Sequence, residues 1–258
     1  MQLTIDIGNS SLKAALFPDS SAKPLEARIH DAAEPVSTLR IALDDYGQFR
    51  GYVGETDISA CIISSTSILP DWLFSYLNEK RVGLIHVMDG TTPLPVVNLY
   101  ETPSTLGTDR ISSVIGAYYS AGCQHAVMCI DSGTAITYDI INAKGEYIGG
   151  NISPGMEMRF KALHDYTSRL PYVLNRITHS EIGTSTESAI ANGVKVGMRK
   201  EIEGYIRTYS RKYPGLCVFF TGGDQIDFDY RTKKRIFADR NLVLKGLNII
   251  LNNLQYQK

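Results

Sequence analysis

The chain has 258 residues, of which 43% are hydrophobic and 21% charged, and its formal net charge is −1. This composition is typical of a globular protein with one large or two small domains. It lacks the strong positive excess of nucleic-acid-binding domains, so we expect no nucleic-acid partner. No apolar stretch approaches the roughly 18–20 residues that a membrane span needs, so we also expect no membrane association.

The cysteines indicate a reducing compartment. Cys61, Cys123, Cys129 and Cys217 show no C-x-x-C spacing, and three of them lie within apolar runs. Small buried thiols are usual in such runs, so we expect a cytoplasmic protein without a zinc site. Because the chain begins with a strand-like segment, we do not expect a cleaved signal peptide.

Strand-like and helix-like segments alternate along the chain. The predicted strands are residues 2–7, 12–17, 60–64, 83–87, 126–130, 135–140 and 216–221. The predicted helices are residues 36–46, 71–80, 109–121, 157–163, 185–210 and 241–254. Residues 89–107 contain three prolines and two glycines, which predicts irregular structure there. The alternation predicts an α/β protein with mixed β-sheets flanked by helices.

One short pattern occurs twice, far apart in the chain: an apolar strand, Asp-x-Gly, small polar residues and a second apolar run. The first copy contains Asp6 and Gly8, and the second contains Asp131 and Gly133. Glycine lets the backbone approach a phosphate, N–H and hydroxyl groups bind its oxygens, and the aspartate can hold a cation. Two such hairpins predict two similar half-domains that close on one nucleotide, which indicates phosphoryl transfer.

Each copy also has a simpler interpretation, because Gly, Asn and Ser are common in exposed hairpin turns. Against it, Lys13 returns on the second strand of the first copy, where its ammonium group could reach a phosphate. In the second copy, Asp131 could hold a cation and Thr134 could donate to the phosphates. The chain has no G-x-x-x-x-G-K-[ST] sequence, which excludes a P-loop site.

A third motif, Gly107-Thr108-Asp109-Arg110, opens a predicted helix. Thr108 and Asp109 are good capping residues, and the local pattern alone favours a capping role. In the alternative role, Asp109 accepts the proton of an attacking hydroxyl while Arg110 binds an anionic substrate group bidentately.

Two further segments are weaker signals. Residues 149–155 predict a glycine-rich loop that leads into a helix, whose N-terminus would attract an anion. Thr221-Gly222-Gly223-Asp224 follows a predicted strand and could lie flat against an adenine or ribose, or form only a turn. The histidines lack metal-like spacing, and the chain has no G-x-S-x-G hydrolase signature.

In this order, the motifs resemble those of type III pantothenate kinases over nearly the whole chain. The most specific pieces are Gly-x-Asp-Arg at residues 107–110 and Asp-x-Gly-Thr-Ala at residues 131–135. Single pieces are shared with the actin, sugar-kinase and chaperone-ATPase superfamily. The resemblance implies two RNase H-like (actin-like ATPase) domains. We place them at residues 1–116 and 117–258, with a terminal helix that can pack back on the first domain.

The resemblance also implies an activity, namely transfer of the γ-phosphoryl group of ATP to the primary hydroxyl of pantothenate. This reaction gives 4′-phosphopantothenate and is the first step of coenzyme A biosynthesis. It implies a homodimer with active sites at the subunit interface, and a need for ATP, Mg²⁺ and a monovalent cation, K⁺ or NH₄⁺. Two other functions stay open: a kinase of the same superfamily acting on a sugar or similar hydroxyl substrate, and a nucleotide-binding transcription accessory factor.

Site residues follow from the resemblance position by position. The ATP-binding residues are Asp6, Ile7, Gly8, Asn9, Ser10, Ser11, Leu12, Lys13 and Thr134. The substrate-binding residues are Tyr100, Gly107, Thr108, Asp109, Arg110 and Thr186, with Asp109 as the catalytic proton acceptor. Asp131 binds the monovalent cation, and Asp6 binds magnesium. The chain departs from the family at two positions: the family usually has Asn where this chain has Ser185, and many members have Thr where it has Ser10, which keeps the hydroxyl.

Overall fold

The computed structural model describes residues 1–19, 33–174, 182–223 and 235–256. Within them the helices are α1 (Tyr46–Val53), α2 (Asp71–Glu79), α3 (Thr108–Ser120), α4 (Met156–Asp165), α5 (Thr186–Lys212) and α6 (Leu242–Tyr256), with a 3₁₀ helix at Pro103–Thr105. The strands are β1 (Gln2–Ile7), β2 (Leu12–Phe17), β3 (Ser37–Ile41), β4 (Ala60–Ser65), β5 (Leu84–Val87), β6 (Val97–Asn98), β7 (Val127–Ser132), β8 (Ala135–Ile141), β9 (Glu146–Pro154), β10 (Cys217–Gly222) and β11 (Ile236–Ala238).

The chain divides into two compact units, neither of which is one continuous segment. Unit 1 comprises Met1–Val127, Asp139–Gly149 and Asn241–Lys258, and unit 2 comprises Met128–Tyr138 and Gly150–Arg240. The division into domains at residues 1–116 and 117–258 stays a prediction.

The first sheet forms the centre of unit 1 and has the strand order β3-β2-β1-β4-β5. Strands β1, β2 and β3 are antiparallel neighbours, whereas β4 and β5 run parallel to β1. Every residue of β1 is buried, because this strand lies inside the sheet and has helices on its faces. The predicted mixed α/β architecture is therefore confirmed.

One predicted helix is wrong. Within residues 36–46, Ser37–Ile41 form strand β3, and helix α1 begins only at Tyr46. The segment Ser37–Ile41 alternates between more and less exposed residues, and Thr38 pairs with Ala15 of β2. This period of two is the signature of a half-exposed edge strand, which overrides the helical reading of the apolar spacing.

The second sheet has the strand order β11-β10-β7-β8-β9-β6. Two of its pairs, β10 with β11 and β6 with β9, are parallel. The predicted glycine-rich loop at residues 149–155 is wrong, since Glu146–Pro154 form strand β9. Gly149 adopts φ of +113°, a conformation that glycine tolerates, so its presence marks a special backbone position within the strand rather than a loop.

Two glycines allow α3 and α6 of unit 1 to cross at very short distance. A Cβ atom on Gly116 would lie 2.2 Å from the Leu242 carbonyl oxygen, and one on Gly246 would lie 1.8 Å from that of Ser112. Helix α6 also packs against β1, where Gln2 donates to Asn252 and accepts from Asn248. The last helix is thereby fixed to the centre of unit 1.

The core of unit 2 includes Phe160 of α4, Val173, and three residues on one face of α5, namely Ile190, Ala191 and Val194. Within the described ranges, no helix is both long enough and apolar enough to span a membrane.

We expect Gly246→Ala to lower the free energy of unfolding by about 1–3 kcal/mol, because a methyl group there collides with the backbone of α3. Gly51→Ala in α1 is the matched control, since a Cβ at Gly51 meets no atom within 4 Å. The control should gain about 0.5–1 kcal/mol, because alanine is the better helix former. Urea denaturation of both variants measures the difference, and equal effects would contradict the proposed crossing.

Candidate active site

We call the two copies of the Asp-x-Gly pattern the first and second phosphate motifs, after their predicted role. The first phosphate motif is the β1–β2 hairpin of unit 1. Asp6 is paired with Lys13 in the antiparallel register and with Ser64 in the parallel register. Directly paired residues place their side chains on the same face of a sheet. Lys13 Nζ lies 3.8 Å from Asp6 Oδ2, and Ser64 Oγ donates to Asp6 Oδ1 over 3.4 Å. The turn is closed by a hydrogen bond from the Gly8 N–H to the Ser11 carbonyl.

The other predicted residues of this motif differ in exposure. Ile7 and Leu12 are buried strand ends, Gly8, Ser11 and Lys13 are half-buried, and Asn9 and Ser10 are exposed. The apolar ends anchor the hairpin, and its polar tip faces solvent. Its N–H and hydroxyl groups are accessible to a phosphate.

The Asp6 carboxyl group has a raised pKa, about 6 against an ordinary 3.8. Burial is the main cause, since it disfavours the charged form. The ammonium group of Lys13 opposes the rise, and the negative charge of Asp109 adds to it. The two aspartates therefore interact within unit 1.

The start of α3 is connected to this hairpin. Thr108 Oγ1 lies 2.9 Å from Ser64 Oγ, and Ser64 in turn donates to Asp6. Gly107 is the N-cap, and no side chain caps the helix there. Asp109 is half-buried, and its Oδ1 accepts from the Arg110 N–H over 2.8 Å, which orients the carboxylate at the first turn. The structure thus brings Asp6, Lys13, Thr108 and Asp109 together.

Arg110 is buried and bound to a buried carboxylate. Its Nη2 donates to Asp139 Oδ1 over 2.7 Å, and its Nε donates to Asp139 Oδ2 over 3.3 Å. The hydroxyl of Tyr147 also donates to Asp139, over 2.8 Å. Burial acts to lower the pKa of Arg110, but Asp139 outweighs it and the pKa is raised. Because Asp139 occupies the Nε–Nη2 edge and Nη2 also donates to the Tyr147 hydroxyl over 3.4 Å, a substrate anion could meet only Nη1.

Tyr100 lies beside this ion pair. The Arg110 guanidinium carbon is 5.8 Å from the centre of the Tyr100 ring. The centres of the Tyr100 and Tyr147 rings are 6.0 Å apart. The Tyr100 N–H donates to the Asn98 side chain, which fixes the backbone there. Tyr100 and Arg110 are thus neighbours in unit 1, as a shared substrate-binding role requires.

The second phosphate motif lies at the turn between β7 and β8. The Gly155 N–H donates to the Thr134 carbonyl over 3.1 Å, and a Cβ on Gly155 would lie 2.1 Å from the Gly133 carbonyl oxygen. The Gly223 N–H donates to the Ser132 carbonyl over 2.9 Å. Glycines from two other segments therefore pack directly on this motif, whereas Asp224 lies outside the described residues.

The two predicted site residues of the second motif are Asp131 and Thr134. Asp131 is half-buried at the end of β7, and Thr134 is exposed. Thr134 also lines a cavity of about 320 Å³ with residues of α4, including Glu157, Met158 and Lys161. A cavity of this size lies at the lower end of the range for small-molecule sites.

Thr186 is the first residue of α5 and is exposed. The preceding Ser185 is the N-cap, and its hydroxyl accepts from the Ser188 N–H in a capping box. Serine and asparagine are about equally good N-caps. The difference between this chain and the usual family sequence at position 185 therefore preserves the helix start that carries Thr186.

The model of the type III pantothenate kinase family matches residues 2–208. The chain belongs to the type III pantothenate kinase family. Type III pantothenate kinases of Bacteroides fragilis and Phocaeicola vulgatus are 43% and 44% identical to it, each over 98% of this chain and 98% of their own. That of Flavobacterium psychrophilum is 33% identical over the full length of both chains.

Solved structures agree in fold. A Baf family protein of Campylobacter jejuni has a TM-score of 0.57 at 21% identity, and covers 98% of this chain and 99% of its own. A glucokinase from an Antarctic psychrotroph has a TM-score of 0.50 at 9% identity, and covers 97% and 98%. These likenesses confirm the predicted fold class, because the chain shares its α/β fold with both proteins.

Three residues that contact predicted site residues were not predicted from the sequence: Ser64, Asp139 and Tyr147. Ser64 had a detectable signal, because it is a polar residue at the end of the apolar strand predicted at residues 60–64. Asp139 had one too, because a carboxylate within the apolar run of β8 must find a partner. Tyr147 had none, since a strand tyrosine is ordinary.

Burial of Asp6 predicts a specific pH dependence of stability. The folded protein binds a proton that the unfolded chain has lost, so its stability falls as pH rises from about 4 through about 6. Asp6→Asn should abolish this fall and raise the free energy of unfolding at pH 8 by up to about 3 kcal/mol.

Urea denaturation between pH 4 and pH 8 measures the effect. Asp44→Asn, at an exposed carboxylate of the same unit, is the control and should keep the wild-type pH profile. An Asp6→Asn profile parallel to that of wild type would contradict the assigned cost of burying Asp6.

Proposed function

We propose that this protein transfers the γ-phosphoryl group of ATP to the primary hydroxyl of pantothenate. The product is 4′-phosphopantothenate, the first intermediate of coenzyme A biosynthesis. Membership of the type III pantothenate kinase family supports this assignment. The observation that carries it is the cluster of Asp6, Lys13 and Asp109, which supplies a cation-binding carboxylate, a positive charge and a proton acceptor.

Asp109 is the proposed proton acceptor for the attacking hydroxyl. Its carboxylate is held at the start of α3 by the Arg110 N–H, which leaves Oδ2 for the substrate. Phosphoryl transfer through a loose transition state needs mainly positioning and charge neutralisation. Lys13 supplies a point charge for a phosphate, and the N–H and hydroxyl groups of residues 9–11 supply donors.

Magnesium fits the donors of unit 1. Mg²⁺ is usually bound by one or two carboxylates together with substrate phosphates and water. Asp6 offers a carboxylate of this kind, and Asp109 is near enough to raise the pKa of Asp6. Among the residues that the structure describes, no group of three or more His, Cys, Asp or Glu side chains could hold a metal alone. When bound, Mg²⁺ would neutralise charge on the phosphates, and Asp6 would be its ligand.

The same proposal assigns the remaining residues. Tyr100, Gly107, Thr108 and Arg110 bind pantothenate, and Thr186 contributes to that site. Thr134 binds ATP, and Asp131 holds the monovalent cation, K⁺ or NH₄⁺. Arg110 has its Nε–Nη2 edge on Asp139, so it meets the substrate with Nη1 rather than bidentately through that edge.

A cytoplasmic homodimer is part of the proposal. Support for a dimer comes from large apolar side chains that are strongly exposed in unit 2: Ile152, Met158, Tyr166, Leu174 and Ile182. Where such side chains form a contiguous patch, they are typical of a protein–protein interface.

The first test measures ADP release from ATP and Mg²⁺ with and without pantothenate, in potassium buffer and in sodium buffer. We expect release that depends on both pantothenate and potassium. ADP release with a sugar but not with pantothenate would favour the alternative function, a kinase of the same superfamily that acts on a sugar. The proposal is wrong if the folded protein releases no ADP with pantothenate.

Asp109→Asn should lower kcat by about 10²–10⁴-fold, the usual effect of removing a general base. Asp71→Asn is the matched control, because Asp71 also lies in the first turn of a helix of unit 1 but is exposed. The control should keep wild-type turnover. Near-wild-type kcat in a folded Asp109→Asn variant would remove Asp109 from this role.

A further inference from the structure

Two side chains of unit 2, those of Arg159 and Glu201, meet at the end of strand β9. Arg159 of α4 donates from Nε to the Pro154 carbonyl over 2.7 Å and from Nη2 to Ser153 Oγ over 2.8 Å. The same Nη2 donates to Glu201 Oε2 of α5 over 2.6 Å. We call Arg159 and Glu201 the clamp.

Glu201 is itself held on its other oxygen. The hydroxyl of Tyr138 in β8 donates to Glu201 Oε1 over 2.8 Å, and the Tyr138 ring packs at 4.2 Å on that of Tyr205. Burial acts to raise the pKa of Glu201, but hydrogen bonds from Arg159, Tyr138 and Ser153 outweigh it, so the pKa is lowered. The carboxylate is therefore charged at neutral pH, and both of its oxygens have fixed partners.

The segment held by Arg159 is the one that packs on the second phosphate motif. Gly155 follows Pro154, and its N–H donates to the Thr134 carbonyl. A Cβ on Gly155 would lie 2.1 Å from the Gly133 carbonyl oxygen and 2.5 Å from that of Thr134. At such a distance, a shift of residues 153–155 must move residues 133 and 134 as well.

The clamp is largely removed from solvent. The side chains of Arg159 and Glu201 are 19% and 25% exposed, so the loss of either partner leaves a mostly buried charge and also costs stability. All three hydrogen bonds of Arg159 go to residues 153 and 154 and to Glu201. The clamp therefore fixes the position of this short segment in addition to stabilising unit 2.

We propose that Arg159 and Glu201 are positioning residues for nucleotide binding: they hold residues 153–155 against the second phosphate motif, so that Gly133 and Thr134 keep the geometry that binds ATP phosphates. This inference rests on the proposed function, since it assigns Thr134 to ATP. Neither residue of the clamp touches the reacting atoms. Loss of the clamp weakens nucleotide binding and leaves pantothenate binding nearly unchanged.

Arg159→Met tests the proposal, because it removes every donor and keeps the aliphatic stem. We expect kcat/KM for ATP to fall by about 10²-fold, the usual cost of misplacing a binding group by about 1 Å. The KM for pantothenate should stay within about twofold of wild type. Arg159→Lys should recover part of the loss, because an ammonium group reaches one acceptor but lacks the planar fork.

Glu201→Gln is the second variant, and it keeps the shape of the side chain while placing an amide beside Arg159. Like Arg159→Met, it should raise the KM for ATP. Arg50→Met is the matched control, because it breaks the exposed ion pair of Arg50 with Glu79 in unit 1. This control should leave both KM values unchanged.

Calorimetric titration with ADP, without pantothenate, separates this inference from the proposed function. If wild type binds ADP but shows no turnover with pantothenate, the proposed function fails, and weaker ADP binding by Arg159→Met still supports the clamp. Equal ADP affinity in wild type and the folded variants would overturn the clamp. The clamp would also be overturned if a variant lost the same factor in kcat/KM for ATP and for pantothenate and had a lower Tm. An absence of ADP binding by the wild-type protein would overturn it as well. If Arg159→Met does not fold, Arg159→Lys and Glu201→Gln decide by the same criteria.

Discussion

Strand β1 pairs with β2 on one side and with β4 on the other, and this double register decides which side chains meet Asp6. Lys13 and Ser64 are its direct neighbours, and Ser64 passes the connection on to Thr108 at the start of α3. A slip of either pairing by one residue would turn these side chains to the opposite face of the sheet. The first phosphate hairpin and the helix that carries Asp109 are therefore positioned by the same strand.

The site concentrates charge where the fold gains little from it. The raised pKa of Asp6 shows that its negative charge is unfavourable in the free protein, and Asp109 contributes to that cost. Such a cost is understandable if a cation and a lysine balance the carboxylates when nucleotide binds. Arg110 differs, because a buried carboxylate, Asp139, already balances its charge. The ion pair fixes the guanidinium firmly and restricts how it can meet a substrate.

The sequence was sufficient to predict the elements with a clear period and the motifs with clear chemistry. Strands β1 and β2 were predicted to the residue, since Asp-x-Gly sets the turn between them. The edge strand β3 was mistaken for a helix because its apolar residues fit both periods, and only its pairing with β2 decides. Strand β9 was mistaken for a loop because its glycines are also turn residues. The pairings of Arg110 with Asp139 and of Arg159 with Glu201 join segments distant in sequence, and no local pattern reveals which residues pair.

The most direct test of the account is the chemical identity of the product. The folded protein is incubated with ATP, Mg²⁺, K⁺ and pantothenate, and the mixture is analysed by ³¹P nuclear magnetic resonance and mass spectrometry. We expect a phosphomonoester on the primary hydroxyl of pantothenate, formed in equal amount to ADP. Inorganic phosphate with unchanged pantothenate, or phosphate on the secondary hydroxyl, would contradict the assignment of Asp109 and of the site around it.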